Sequence, residues 1–211
     1  MGSKREGAFV PDEPTLEWLT QRAPDAPDRN MRLVDASFKY TDPKGKPWEV
    51  KGGDSILIVN GASIPSFLWS TVGSPYTGNY RRASILHDFW CKIEGGRLEA
   101  DRMFHSACLD GGCSPMQAWL LYVGVRIGAY LPFMVSWVGS VDAYPTFDYE
   151  RPSQPLLTDI SLLNTFTTSA TLAKNKDFPE YDDDLANMID LNIDAELRKH
   201  NLLPAGFVLP V

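Results

Sequence analysis

Apolar and polar residues alternate from Met31 to Thr41, the two-residue period of a strand with one buried face. The stretch Asp42-Pro43-Lys44-Gly45-Lys46 that follows carries the residues of a hairpin turn. Trp48 to Lys51 and Ser55 to Val59 supply two further strands, parted by Gly52-Gly53, so a small antiparallel sheet is predicted. Residues 1–30 are rich in Pro, Asp and Arg and show one short helical patch, Thr15 to Arg22.

Beyond Pro65 the period lengthens. Tyr80 to Glu94 places Ala83, Leu86, Phe89 and Trp90 at helical spacing, and Gly95-Gly96 ends that helix. Arg97 to Leu109 forms a second helix, stopped at Gly111-Gly112. Ser114-Pro115 opens a third, with serine capping free amides and proline at a position that has no amide bond to lose. The run Ala118 to Gly139 is almost wholly apolar, but Arg126 sits inside it and Gly128 and Pro132 interrupt it. The pattern predicts a buried helix ending near Tyr130, not a membrane span, and then a second apolar segment, Leu131 to Val138, read as core or a subunit contact, or else as an interfacial surface with Trp137 and Phe133 at lipid headgroup depth. Asp182 to His200 is a last helix, acidic in its first turn and basic in its last, as the helix dipole favours.

Charge narrows the partners. The chain of 211 residues has a net charge of −7, and residues 141–211 carry all of it, with 12 acidic and 5 basic side chains. A neutral body and an acidic tail exclude nucleic acid as a partner, since phosphate binding needs a surplus of Lys and Arg. The acidic region is a solvated face or a docking surface for a protein. Cys91, Cys108 and Cys113 lack metal-site spacing and are odd in number, which suits free thiols in a reducing compartment. The N-terminus has no apolar run after its basic residues, so the expectation is a cytoplasmic protein, or one exported without a signal peptide by a phage or secretion machine.

The candidate chemistry lies in the helix pair. Two helices joined at Gly95-Gly96 run antiparallel, with His87 eight residues before the turn and Asp101 five after it. The axial mismatch is about 4.5 Å, within side-chain reach. A carboxylate there accepts from one imidazole nitrogen and leaves the other to take a proton from water. Asp88 points about 100° away around the helix and is placed to bind a cation. Each residue also has a plainer reading. Asp101 fits equally as an acid favoured by a helix N-terminus, and Asn60 and Ser63 fit as the turn before Pro65. Arg126 in an apolar helix must find a carboxylate. Cys91, one turn from His87, is either a small buried hydrophobe or half of a Cys-His nucleophile pair.

The ordered motifs Val59-Asn60-Gly61-Ala62-Ser63-Ile64-Pro65, His87-Asp88, Ala100-Asp101-Arg102-Met103-Phe104 and Val125-Arg126 resemble those of the phage and bacterial family called domain of unknown function 1353. A second resemblance, to bacterial and fungal phospholipases A2, rests on Ser74-Pro75, Gly78, His87-Asp88-Phe89, Asp101, Phe104, Tyr122 and Val125-Arg126. It implies His87 as the base, Asp101 as its orienter and Asp88 as a ligand to Ca2+. The chain departs from both patterns. Asn60 stands where the first family has aspartate, Cys91 where the phospholipases have tyrosine, and no aspartate lies between Gly61 and His87.

These readings predict an α+β, mainly helical fold. It has a small N-terminal antiparallel sheet, a phospholipase-A2-like helix hairpin, a third core helix and a C-terminal helical extension. The predicted divisions are an arm at 1–30, a core at 31–140 and an acidic extension at 141–211. The expected function is a calcium-dependent acyl-ester hydrolase acting on a lipid or small ester. The alternative is a non-catalytic phage or prophage structural or host-interaction protein that retains a degenerate His-Asp site.

Overall fold

The alternation at 37–51 becomes a hairpin because each strand turns its apolar side chains to the same face. In the computed structural model, which describes residues 7–18, 31–52, 58–59, 78–93, 96–138, 157–203 and 206–208, six strands and five helices are described. The strands are β1 (Ala8–Val10), β2 (Leu16–Trp18), β3 (Met31–Leu33), β4 (Ser37–Thr41), β5 (Pro47–Lys51) and β6 (Ile58–Val59). The helices are α1 (Arg81–Ile93), α2 (Arg97–Asp110), α3 (Pro115–Val138), α4 (Leu157–Asn175) and α5 (Asp183–Lys199).

Strands β1, β4 and β5 make one antiparallel sheet, and β2, β3 and β6 make another. In the β4–β5 pair, Tyr40 faces Trp48 and Phe38 faces Val50, all four buried, while Lys39 and Glu49 pair on the outer face at 3.1 Å. The Asp42 carboxylate holds the turn by accepting from the Lys44 and Lys46 amides at 2.9 and 2.8 Å. Gly45 takes a positive φ of 86° there, which a side chain would strain.

Two sequence expectations for the N-terminal part are corrected. The single strand expected over Met31–Thr41 is two strands in different sheets, because the chain bends at 34–36, where the Asp35 carboxylate accepts from the Thr15 amide. The helix expected at Thr15 to Arg22 begins as strand β2, with Leu16 opposite Leu33; a patch that short gains more from ladder pairing than from an unfavourable helix nucleus. Residues 19–30 and most of the expected strand Ser55–Val59 lie outside the described residues.

Helix α1 is buried on every side from Ala83 to Asp88, and Trp90 packs edge-on against Trp48 of the sheet at 5.0 Å between centroids. Helix α2 folds back along α1. Gly112, at φ 97°, turns the chain into α3, and the Ser114 hydroxyl accepts from the Gln117 amide at 3.2 Å with Pro115 in the first helical position. Helix α3 is buried from Leu121 to Tyr130. It then runs on to Val138 instead of ending near Tyr130, so the apolar pattern carries the helix past Gly128 and Pro132 despite the lost amide.

The sequence reading passed over α4. It carries Ser and Thr where a helix former is expected, yet Thr165, Thr167 and Thr171 each donate to the carbonyl four residues back, at 2.9, 2.8 and 2.8 Å. Helix α5 packs against α4 and buries Leu185, Ile189, Ile193 and Leu197, and Asp182 caps it by accepting from the Leu185 amide at 2.8 Å. The result is an α+β, mainly helical protein. No described helix is long and apolar enough to cross a membrane.

Candidate functional site

The antiparallel α1–α2 hairpin brings His87 and Asp101 together. His87 Nε2 lies 2.6 Å from Asp101 Oδ1, and neither side chain has any exposed surface. Phe104, one turn beyond Asp101, packs against the imidazole at 4.8 Å between centroids. The other ring nitrogen, Nδ1, is buried and has no hydrogen-bond partner among the described residues.

Asp101 is itself held from behind. Its Oδ2 accepts from Arg126 Nη1 at 2.8 Å, and Arg126 Nε donates to Asp190 Oδ1 at 2.8 Å. Tyr122 donates to the same Asp190 oxygen at 3.1 Å, and Arg102 pairs with the second oxygen at 3.5 Å. Charges alternate along this chain from imidazole to carboxylate to guanidinium to carboxylate, tying α1, α2, α3 and α5 together. Such a series survives burial because each charge has an opposite neighbour; removing one partner strands the next.

The environment sets the protonation. Burial pulls the His87 pKa down, but the charge of Cys91 and the Asp101 hydrogen bond more than offset it and lift it to about 10. Burial likewise disfavours the charged form of Arg126, yet Asp101 and Asp190 hold it above the ordinary guanidinium value. Burial raises the Tyr122 hydroxyl, with Asp190 adding to the effect.

Cys91 Sγ lies 3.3 Å from His87 Nε2, the nitrogen that already meets Asp101. A nucleophile pair oriented by a third group would use opposite ring nitrogens, so this is not the geometry of a Cys-His-Asp triad. One donor atom each from His87, Cys91 and Asp101 lies within 4.8 Å of the others. Asp88 is buried on α1 but stands outside this group. Asn60 and Ser63 lie outside the described residues. The structure therefore gathers His87, Cys91, Asp101, Arg126 and Tyr122 into one cluster.

Sequence reasoning missed Asp190. Its one local signal is a carboxylate set between buried Ile189 and Ile193 in an otherwise amphipathic helix. It also missed a cavity of about 480 Å³ on the other side of α2, lined by Trp48, Arg102, His105, Trp119, Tyr122 and Tyr181. His105 lies against the Trp119 ring at 4.1 Å, and burial pushes its pKa down to about 3. Lysines at the rim are already paired, Lys44 with Asp183 at 2.9 Å and Lys46 with Glu99 at 2.5 Å.

Residues 32–125 match the family described as "Protein of unknown function (DUF1353)". The matched segment runs from β3 into α3 and contains His87, Asp88 and Asp101; Arg126 and Asp190 fall beyond it. Two proteins of Sinorhizobium fredii (strain NBRC 101917 / NGR234) are similar over part of the chain. Uncharacterized protein y4jT is 32% identical over 102 residues, 48% of this chain and 30% of its own length. Uncharacterized protein y4iH is 33% identical over 99 residues, 46% of this chain and 40% of its own length. The chain thus spans less than half the length of these curated relatives. No solved structure matches. The matches support the family resemblance seen in the sequence motifs.

Proposed function

We propose that the protein is an acyl-ester hydrolase of the phospholipase A2 kind, with His87 as the base and Asp101 as the residue that orients it. One observation carries this reading: an imidazole is anchored through Nε2 at 2.6 Å to a carboxylate pinned by Arg126, while its Nδ1 has no partner among the described residues. Nδ1 is buried, so the step requires the cluster to open: once unprotonated and reached by water, Nδ1 takes a proton from it, and the resulting hydroxide attacks the ester carbonyl. Collapse of the tetrahedral intermediate expels the alkoxide, which recovers the proton from His87. Arg126 holds Asp101 in place throughout. Asp88, buried beside His87 on α1, offers a carboxylate, the hard donor calcium takes. When bound there, calcium would polarise the ester carbonyl.

The test is fatty-acid release from phospholipid vesicles with calcium, comparing the native chain with His87→Ala and Asp101→Asn. A general base contributes about 10²–10⁴-fold, so His87→Ala is expected to fall to background and Asp101→Asn to lie between. Release that is absent in the native chain, or unchanged in a folded His87→Ala variant, refutes the proposal.

A second reading is favoured by the complete burial of both dyad members. On it the alternating charges only fasten four helices, and the chain is a non-catalytic phage or prophage module whose acidic C-terminal region meets a protein partner. That reading predicts no ester release from any of the three proteins, and a loss of stability in His87→Ala.

A further inference from the structure

The same hairpin gathers a donor set that hydrolysis by a His-Asp dyad does not call for. His87 and Cys91 lie one turn apart on α1 and so face the same way. Asp101 meets them from α2, with Nε2 to Oδ1 at 2.6 Å and Nε2 to Sγ at 3.3 Å. All three donor atoms fall within 4.8 Å of one another. We infer that His87, Cys91 and Asp101 form a binding site for a zinc-class divalent cation, with one nitrogen, one sulfur and one oxygen ligand.

Donor chemistry selects the ion. A thiolate is a soft ligand that suits zinc and its neighbours and is passed over by calcium and magnesium. Distances come next. Tetrahedral zinc with ordinary bond lengths separates a nitrogen from an oxygen ligand by about 3.4 Å and a nitrogen from a sulfur by about 3.6 Å. The observed contacts need to open by about 0.8 and 0.3 Å to admit the ion.

Charge completes the fit. On binding, the Nε2 proton and the thiol proton leave to solvent, and the ion's two positive charges meet one thiolate and one carboxylate. Arg126 remains on the far oxygen of Asp101 at 2.8 Å, the kind of outer partner that orients a metal-bound carboxylate. Cys91 is partly exposed, unlike His87 and Asp101, and offers the way in.

Occupancy has a chemical consequence for the dyad. A metal on Nε2 leaves the neutral ring with its proton on Nδ1, so the nitrogen proposed to accept a proton from water is no longer available. The metal-loaded site and the His-Asp base are alternative states of the same residues.

Cobalt(II) is the first probe, because a thiolate ligand gives a sulfur-to-cobalt charge-transfer band in the near ultraviolet that oxygen and nitrogen ligands do not. Titrating the full chain with cobalt(II) is expected to raise that band, and zinc to remove it. The band is expected to vanish in Cys91→Ser and to persist in Cys113→Ser. Asp101→Asn is expected to weaken the apparent affinity at least about tenfold. A native chain without the band, or a band that survives Cys91→Ser, overturns the inference.

Substitutions in a buried cluster can unfold the chain, so a second measurement uses the native protein. Iodoacetamide alkylation of Cys91, followed by peptide mass, is expected to slow at least about tenfold in saturating zinc and to be unchanged in calcium. An alkylation rate that ignores zinc also overturns the site. Neither readout involves ester hydrolysis. Zinc protection without fatty-acid release removes the hydrolase and keeps the metal site, and the opposite result does the reverse.

Discussion

The chain buries two imidazoles in one helix hairpin, His87 on α1 and His105 on α2, and their surroundings drive them in opposite directions. His87 meets a carboxylate and a thiol and holds its proton up to about pH 10; His105 meets Trp119, Tyr122 and Tyr181 and releases its proton near pH 3. Both are almost wholly out of water, at 0% and 5% exposure, so burial alone does not decide the charge of a histidine. What decides it is whether an anionic partner comes with the burial.

The charged side of that contrast is broken most severely at Arg126. Arg126→Met removes the cation that separates Asp101 from Asp190, and the loss is expected to be about 3–5 kcal/mol in urea unfolding. A change below about 1 kcal/mol would mean that the series is already wet and the contrast with His105 false.

The neutral side is sharpened by acid. Folded His105 protonates near pH 3 and the unfolded chain near 6.5, so between those values the unfolded state binds the additional proton. Stability from this residue is therefore full above pH 6.5 and falls as the pH drops toward 3. From pH 6.5 to 4 the loss is about 3 kcal/mol. His105→Phe keeps a ring against Trp119, and its stability is expected to fall by that much less over the same interval. Equal slopes in the two proteins would show that His105 is solvated.

A smaller effect falls on the residue between the two. Tyr122 donates to Asp190 and lies edge-on to His105 at 5.9 Å. Tyr122→Phe keeps the ring and removes the hydroxyl, so about 0.5–1.5 kcal/mol is expected, without the acid-limb change of His105→Phe. An altered acid limb in this variant would show that Tyr122 couples the two surroundings it touches, and the contrast between them would fail.

The hairpin was readable because its signals are local. The Gly95-Gly96 signal in the sequence predicts a break there, and the described helices end at Ile93 and resume at Arg97, which brings His87 within reach of Asp101. The cap of α3 and the charge order of α5 are local in the same sense. Helix α4 was not readable because its serine and threonine content resembles a loop, whereas the hydroxyls donate to carbonyls one turn back only once the helix exists. Strand β2 was misread because its partner, β3, lies beyond a stretch that gives no local cue. Asp190 was invisible for a related reason: it reaches Arg126 across 64 positions, and nothing near either residue announces the other.

The fork of Arg126 gives the last helix a part in the chemistry of the hairpin. A shortened chain that stopped after α3 would retain His87, Asp101 and the guanidinium between them and the outside, yet it would lack the second anion. His87 and Arg126 would then share the single carboxylate of Asp101, and the surplus positive charge would admit water to the imidazole. The acidic C-terminal region is thus a counter-ion supplied from afar, and the hairpin that carries the family motifs is electrically unfinished until it arrives.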